Sequence, residues 1–218
     1  MNLFVMQLSI VILAGGKAKR LGVDKALIVI KNKALIAHTF EKIHSISDDI
    51  LIITKTDKRQ KKLKQVIKNT ARFFLDEDPR VESPLIGALT GFKNAVHKLV
   101  LLIGCDMPLI KPEVIKLLYD HIIRVGSLCW AVVPRFPNRY IEPLCAIYSK
   151  EQAKKALEQA IIDKSFKMKK FIDLITATHY FPIARIKPID PELQTFFNVN
   201  TREDIIKLLR ILEESDSI

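Results

Sequence analysis

The stretch Leu8-Ser9-Ile10-Val11-Ile12-Leu13-Ala14-Gly15-Gly16-Lys17-Ala18-Lys19-Arg20-Leu21-Gly22-Val23-Asp24-Lys25 decides how this 218-residue chain is read. Its opening seven residues form an aliphatic and β-branched run that stops abruptly at Gly15-Gly16. A run that is apolar at every position is the mark of a strand buried on both faces of a parallel sheet. The pattern recurs downstream, at Ile50 to Thr54, Arg72 to Leu75 and Leu99 to Ile103, each run followed by polar or glycine residues. Helix-period segments lie between them, near Ala34 to Ile46, Lys58 to Lys68 and Leu85 to Val96. Alternating strands and helices predict an α/β fold, a Rossmann-like three-layer αβα domain wound by right-handed crossovers.

Beyond Pro112 a helix runs to about Arg124, with proline in its opening turn. Two strand-like stretches, Cys129 to Val133 and Pro143 to Tyr148, then flank a polar loop at Pro134 to Asn138, which predicts a mixed sheet in the C-terminal part. Helices near Lys150 to Ile161 and Thr201 to Glu213 follow. No linker interrupts the chain, and residues 1–218 read as one domain.

Bulk composition narrows the function classes. Charged residues make up 27% of the chain and hydrophobic ones 49%, the balance of a globular protein. The net charge of +11 favours anionic ligands without choosing among them. The densest basic stretch, Lys55 to Lys68, carries Leu63, Val66 and Ile67 at helical spacing and reads as a solvated helix face. It has neither interleaved aromatics nor a reading motif, so no nucleic-acid partner is expected. Cys105, Cys129 and Cys145 are too few and scattered for a disulfide framework, and the five histidines lack metal-ligand spacing. The uncharged first sixteen residues lack the basic opening of a secretory signal and fall short of the roughly 20 residues of a membrane span. A cytoplasmic protein with no membrane partner is expected.

Six of only seven glycines fall at three of the strand ends: Gly15, Gly16 and Gly22 after the first strand, Gly87 and Gly91 after the third, and Gly104 at the fourth. Strand carboxyl ends are where open α/β sheets bind ligands. The glycine spacing of the first loop matches neither a dinucleotide fingerprint nor a P-loop. Paired glycines still allow close backbone approach and present amide donors, and Arg20 and Lys25 supply charge to neutralise a triphosphate. A tight turn with two exposed cations is the plainer alternative.

Two carboxylate positions stand out. Asp106, in Gly104-Cys105-Asp106-Met107-Pro108, sits at the mouth of the fourth strand and suits magnesium, which takes one or two carboxylates and fills its other positions with water and phosphate. Asp76-Glu77-Asp78 reads as a solvated turn, a second metal site or a base-reading carboxylate. Asp76 is the candidate nucleotide contact, since one carboxylate accepts two hydrogen bonds from the N1–H and 2-amino edge of guanine.

The strand, Ala-Gly-Gly, arginine, glycine and lysine of Leu13 to Lys25 resemble the signature of nucleotidyltransferases of the nucleotide-diphospho-sugar transferase type. Ser83-Pro84-Leu85-Ile86-Gly87, Cys105-Asp106-Met107-Pro108, Glu142-Pro143-Leu144-Cys145-Ala146-Ile147-Tyr148 and Phe197-Asn198-Val199-Asn200-Thr201 are similar, in this order, to segments of the molybdenum cofactor guanylyltransferases. That resemblance implies transfer of GMP from GTP to molybdopterin, with Mg2+ as cofactor and pyrophosphate as by-product. It implies nucleotide contacts at Leu13, Ala14, Gly15, Gly16, Lys25, Thr54, Asp76 and Asp106. Arg20, Lys25 and Asp106 would act on the phosphates, Asp106 would hold the metal, and Asn198 and Asn200 would line the acceptor or metal side. Cofactor-carrying proteins and molybdoenzymes join GTP and molybdopterin as implied partners.

Departures from that pattern are specific. Thr54 stands where asparagine is common, Ser83 and Ile86 replace a glycine and an alanine, and Lys164 to Lys170 matches no motif. Competing readings are a nucleotidyltransferase using CTP or a sugar phosphate, a glycosyltransferase whose Asp-x-Asp motif Asp76-Glu77-Asp78 would mimic, and a nucleotide-binding module without chemistry.

Overall fold

A strand that is apolar on both sides must be covered on both sides, and the computed structural model, which describes residues 5–15, 17–18, 23–67, 71–78 and 80–216, has that arrangement. The first strand, β1 (Leu8–Leu13), is followed by the short antiparallel pair β2 (Lys17–Ala18) and β3 (Val23–Asp24). The hairpin β4 (Val29–Ile30) and β5 (Lys33–Ala34) turns at Lys31 and Asn32, both at positive φ, as two-residue hairpin turns of one type require. Then come α1 (Leu35–Ile43), β6 (Asp49–Thr54), α2 (Asp57–Val66), β7 (Arg72–Leu75), α3 (Pro84–Asn94) and β8 (Leu99–Gly104). The remainder is α4 (Pro112–Val125), β9 (Ala131–Arg135), β10 (Cys145–Ser149), α5 (Lys150–Ile162), α6 (Met168–Asp173), β11 (Thr178–Pro182) and α7 (Arg202–Asp216).

Among the described residues these strands build a seven-stranded sheet in the order β11-β9-β10-β8-β1-β6-β7. The β8-β1-β6-β7 half is parallel throughout, and β10 runs antiparallel to both of its neighbours, which makes the C-terminal half mixed as expected. Alternate residues of β1 point to opposite cores. Ile10 and Ile12 pack with Ile36 and Phe40 of α1, Leu63 of α2 and Ile115 and Leu118 of α4. Val11 faces Leu85, Leu89 and Phe92 of α3, with Leu157 of α5 and Phe171 of α6 on the same side. A third apolar cluster joins α7 through Leu208 to Leu35, Leu109 and Val199.

Two glycines on one face of α3 set its distance from the sheet. A β-carbon at Gly91 would collide with the side chain of Val11, and one at Gly87 would stand 3.2 Å from Leu13 Cδ2 and 3.7 Å from Asp76 Oδ2. The opening turn of α3 is thereby seated against the ends of β1 and β7.

The structure corrects several boundaries. β9 and β10 each begin two residues later than Cys129 and Pro143, and Pro134 lies inside β9, where its carbonyl accepts from Glu142 N. The edge strand β11 escaped the sequence reading because Phe181 is its one buried residue, so it carries no run. Lys164 to Lys170 is the approach to α6 and its first half, anchored by the buried Phe171 and Ile172.

Candidate active site

Four neighbouring strands, β8, β1, β6 and β7, end on the same edge of the sheet and carry the candidate residues there. Leu13 pairs with Gly104, Cys105 N donates to Leu13 O at 3.2 Å, and Ala14 N donates to Ile53 O at 2.9 Å. Asp106 is thus beside the Leu13-Ala14-Gly15 turn. Gly16 and Arg20 lie outside the described residues, as does Gly22.

At the β8 end, Lys25 is the centre of a cluster. Its ammonium forms an ion pair with Asp106 Oδ2 and donates to Asn200 Oδ1 at 2.7 Å, although these partners are 81 and 175 residues away in sequence. Lys25 opens a short 3-10 turn, Lys25–Leu27, capped by Asp24, whose Oδ1 accepts from Ala26 N. The same Asp24 oxygen accepts from Arg59 Nη2 at 2.6 Å, tying the turn to α2. Asp106 is fixed from both sides. Its carbonyl accepts from Val199 N at 3.0 Å, and its carboxylate folds back so closely that a β-carbon on Gly104 would collide with Oδ1. A side chain at 104 would therefore displace the carboxylate from this orientation.

Asn198 and Asn200 part ways. Asn200 joins Lys25, whereas the Asn198 amide nitrogen donates to Phe196 O at 3.2 Å. Val199 between them is fully buried and ties the segment to Asp106, just beyond the end of β8.

At the β6–β7 end the character changes from charged and paired to buried and unpaired. Thr54 is fully buried and Asp76 nearly so, and Thr54 Oγ1 and Asp76 Oδ1 have no hydrogen-bond partner among the described residues. Buried polar atoms without partners are costly, and they mark places where a ligand completes the bonding. Burial is the main force raising the Asp76 pKa to about 6; Asp78 and Glu77 push the same way, and the Lys55 charge opposes them. Glu77 and Asp78 are surface residues paired with Lys93 and Arg80, as their solvated reading implied.

Two participants, Lys55 and Arg59, went unread in the sequence, whereas Glu142 and Arg139 were read as flanking a loop that holds an acceptor or faces solvent. Lys55 is not part of the solvated helix face: α2 starts at Asp57 with Thr56 as its cap, and the Lys55 side chain lies across Gly15. Arg59 is the one arginine in a lysine-rich helix, which was its only sequence signal, and it turns inward to Asp24. Glu142 is buried, accepts from Tyr140 Oη at 3.0 Å and from Leu144 N, and has its pKa raised mainly by burial. Arg139, by contrast, is exposed. The three cysteines are free and buried; burial lifts Cys105 to about 12, which leaves it a packing residue without thiolate chemistry. Among the described residues no helix is long and apolar enough to cross a membrane.

An αβα sheet whose parallel strand tips gather a capped lysine, a carboxylate and backbone from an Ala-Gly turn defines a nucleotidyltransferase. The chain belongs to the MobA-like NTP transferase family, whose domain matches residues 10–178, and within it to the molybdenum cofactor guanylyltransferases. It is 32% identical over 202 residues to the molybdenum cofactor guanylyltransferase of Syntrophotalea carbinolica, covering 93% of this chain and 90% of the relative. It is similar in structure to molybdopterin-guanine dinucleotide biosynthesis protein A from Archaeoglobus fulgidus, with a TM-score of 0.81 and 27% identity, covering 94% and 99% of the two chains. The 4-diphosphocytidyl-2C-methyl-D-erythritol synthase of Anaerococcus prevotii shares the fold, with a TM-score of 0.69 and 14% identity over 94% and 96% of the chains.

Proposed function

We propose that the chain transfers GMP from GTP to the terminal phosphate of molybdenum-bound molybdopterin, releasing pyrophosphate and using Mg2+. The observation that carries this reading is the convergence of Lys25, Asp106 and Asn200 beside the Leu13-Ala14-Gly15 turn.

In the reaction an oxygen of the acceptor phosphate forms a bond to the α-phosphorus of GTP. The bond from that phosphorus to the bridging α,β oxygen breaks, and its electron pair leaves on pyrophosphate. No side-chain nucleophile is needed, because such transfers are accelerated mainly by alignment and by neutralising charge on the phosphate oxygens. The acceptor phosphate is already anionic, so no general base is assigned. Lys25, held by its capped turn, supplies a preorganised charge for the α-phosphate and the leaving pyrophosphate, and the family resemblance assigns Arg20 to the same phosphates.

The oxygen donors suit magnesium. Asp106 carboxylate and Asn200 amide oxygens already converge on one cation, the Lys25 ammonium, and both are the hard ligands this ion prefers. Asp106, with Asn200, would hold the metal, which when bound neutralises charge on the triphosphate. Asp76 and Thr54 bind the base end of the nucleotide. Three strand spacings of about 4.8 Å separate β7 from β8, roughly 14 Å, comparable with an extended nucleotide laid across the strand tips. Asn198 lies on the acceptor side, next to the metal end that Asn200 would share with Asp106.

The test is pyrophosphate release by purified protein with magnesium and molybdopterin-loaded carrier, comparing GTP, CTP, ATP and UTP. GTP is expected to turn over fastest, and only with acceptor present. Fastest turnover with CTP would reassign the base specificity, and no release from any triphosphate would remove the activity.

A further inference from the structure

Lys55 occupies an unusual position for a lysine that follows a buried strand. It does not extend into solvent. Its Cγ, Cδ and Cε lie 3.2 to 3.8 Å from where a β-carbon on Gly15 would stand, so the aliphatic stem crosses the glycine turn, as lysine stems do when they cover apolar or backbone surface. The stem is half-buried, and the ammonium donates to Val81 O at 3.0 Å, in the loop that joins β7 to α3. Lys55 therefore bridges the first-strand turn to the loop beyond Asp76.

Two buried polar atoms with no partner among the described residues, Thr54 Oγ1 and Asp76 Oδ1, belong to the same corner. Thr54 immediately precedes Lys55, and Asp76 N donates to Thr54 O at 2.8 Å, which locks the two strand ends together. The Lys55 charge acts on Asp76 strongly enough to oppose its burial. This corner thus holds a donor with a full positive charge next to an acceptor with a negative one. The Watson–Crick edge of guanine has the complementary order, an O6 acceptor followed by N1–H and 2-amino donors. Adenine presents a 6-amino donor instead, which a lysine ammonium repels.

We propose that Lys55 is a base-specificity residue, donating to guanine O6 while Asp76 accepts from the N1–H and 2-amino groups of the same ring. This rests on the guanylyl-transfer reading above and deepens it. One spare donor suffices on Lys55, since an ammonium has three hydrogens and Val81 O takes one.

The experiment compares kcat/KM for GTP, ITP and ATP in the wild type, Lys55→Met and Lys55→Arg, with magnesium and molybdopterin-loaded carrier. ITP keeps O6 and N1–H but lacks the 2-amino group. In Lys55→Met, GTP and ITP are expected to fall together by about 10- to 100-fold, as for loss of one hydrogen bond from a charged donor. ATP should not fall, so the GTP to ATP ratio collapses while the GTP to ITP ratio, which Asp76 sets, is retained. Lys55→Arg should keep most of the discrimination. An equal fall for all three nucleotides would mean that Lys55 only holds the loop or touches phosphate, and would overturn the proposal; so would an unchanged GTP to ATP ratio. Wild-type activity without preference for GTP would remove the guanylyl-transfer reading itself. A GTP-selective wild type whose selectivity survives Lys55→Met removes the role of Lys55 alone.

Discussion

Lys25 and Asp106 are 81 residues apart in the chain and form one ion pair, with Asn200 as the third member of the group. On the proposed reading the cation meets the triphosphate directly and the carboxylate would meet it through the metal. Lys25→Ala should lower kcat by about 10²- to 10³-fold, the usual effect of removing one preorganised charge donor, and Asp106→Ala should abolish turnover. Steady-state pyrophosphate release checks both. A loss of less than a few-fold in Lys25→Ala would take Lys25 out of the chemistry.

Gly104→Ala tests how the carboxylate is held. The added β-carbon collides with Asp106 Oδ1 and must push the carboxylate out of its present orientation. Turnover is expected to drop at least about tenfold, in the range for losing one aligned charged group. The same defect should appear at saturating GTP. Wild-type activity in Gly104→Ala would mean that this orientation of Asp106 is unimportant.

Asp76 links pH to both binding and stability. Its folded pKa of about 6 lies above the ordinary 3.8, so its contribution to stability is present below 3.8 and lost as pH rises through about 6, where a charge must stay buried. Asp76→Asn should therefore raise the melting temperature at pH 8 and leave it unchanged near pH 3.5. Guanine binding needs the ionised form, so GTP affinity of the wild type should weaken as pH falls below about 6, and calorimetric titration across that range would detect it. An Asp76→Asn protein that binds GTP as tightly as the wild type at pH 8 would rule out the base contact.

Gly91→Ala reports on the seat of α3. The new methyl overlaps the Val11 side chain, and overpacking of a tight core costs about 1–3 kcal/mol. Denaturant unfolding should show that loss, and Val11→Ala in the same protein should restore part of it. Simple addition of the two effects would contradict the contact.

The parallel half of the fold was legible because its central strands are runs of mostly aliphatic residues buried on both faces, and even the half-buried edge strand β7 matches the expected Arg72 to Leu75 at both ends. β11 and α6 were not legible, since each buries only one or two side chains and neither shows a period. The site was partly legible for a related reason. Asp106 and Lys25 stand in loops whose glycines and neighbours mark them, and the chain brings them together as their motifs suggested. Arg59 and Lys55 were hidden inside a basic stretch, where a residue that turns inward is indistinguishable from those facing water. Thr54 was marked in the sequence only through the family resemblance, at a position where asparagine is common, and its hydroxyl is buried and unpaired among the described residues.

The proposed reaction is attack at the α-phosphorus of a triphosphate held across the tips of β8, β1, β6 and β7. It is tested most directly by following label from GTP carrying 32P at either the α or the γ position, with magnesium and molybdopterin-loaded carrier. Guanylyl transfer requires α-label on the pterin and γ-label in pyrophosphate. γ-Label on the acceptor, or no α-label on the pterin while pyrophosphate forms, would contradict it.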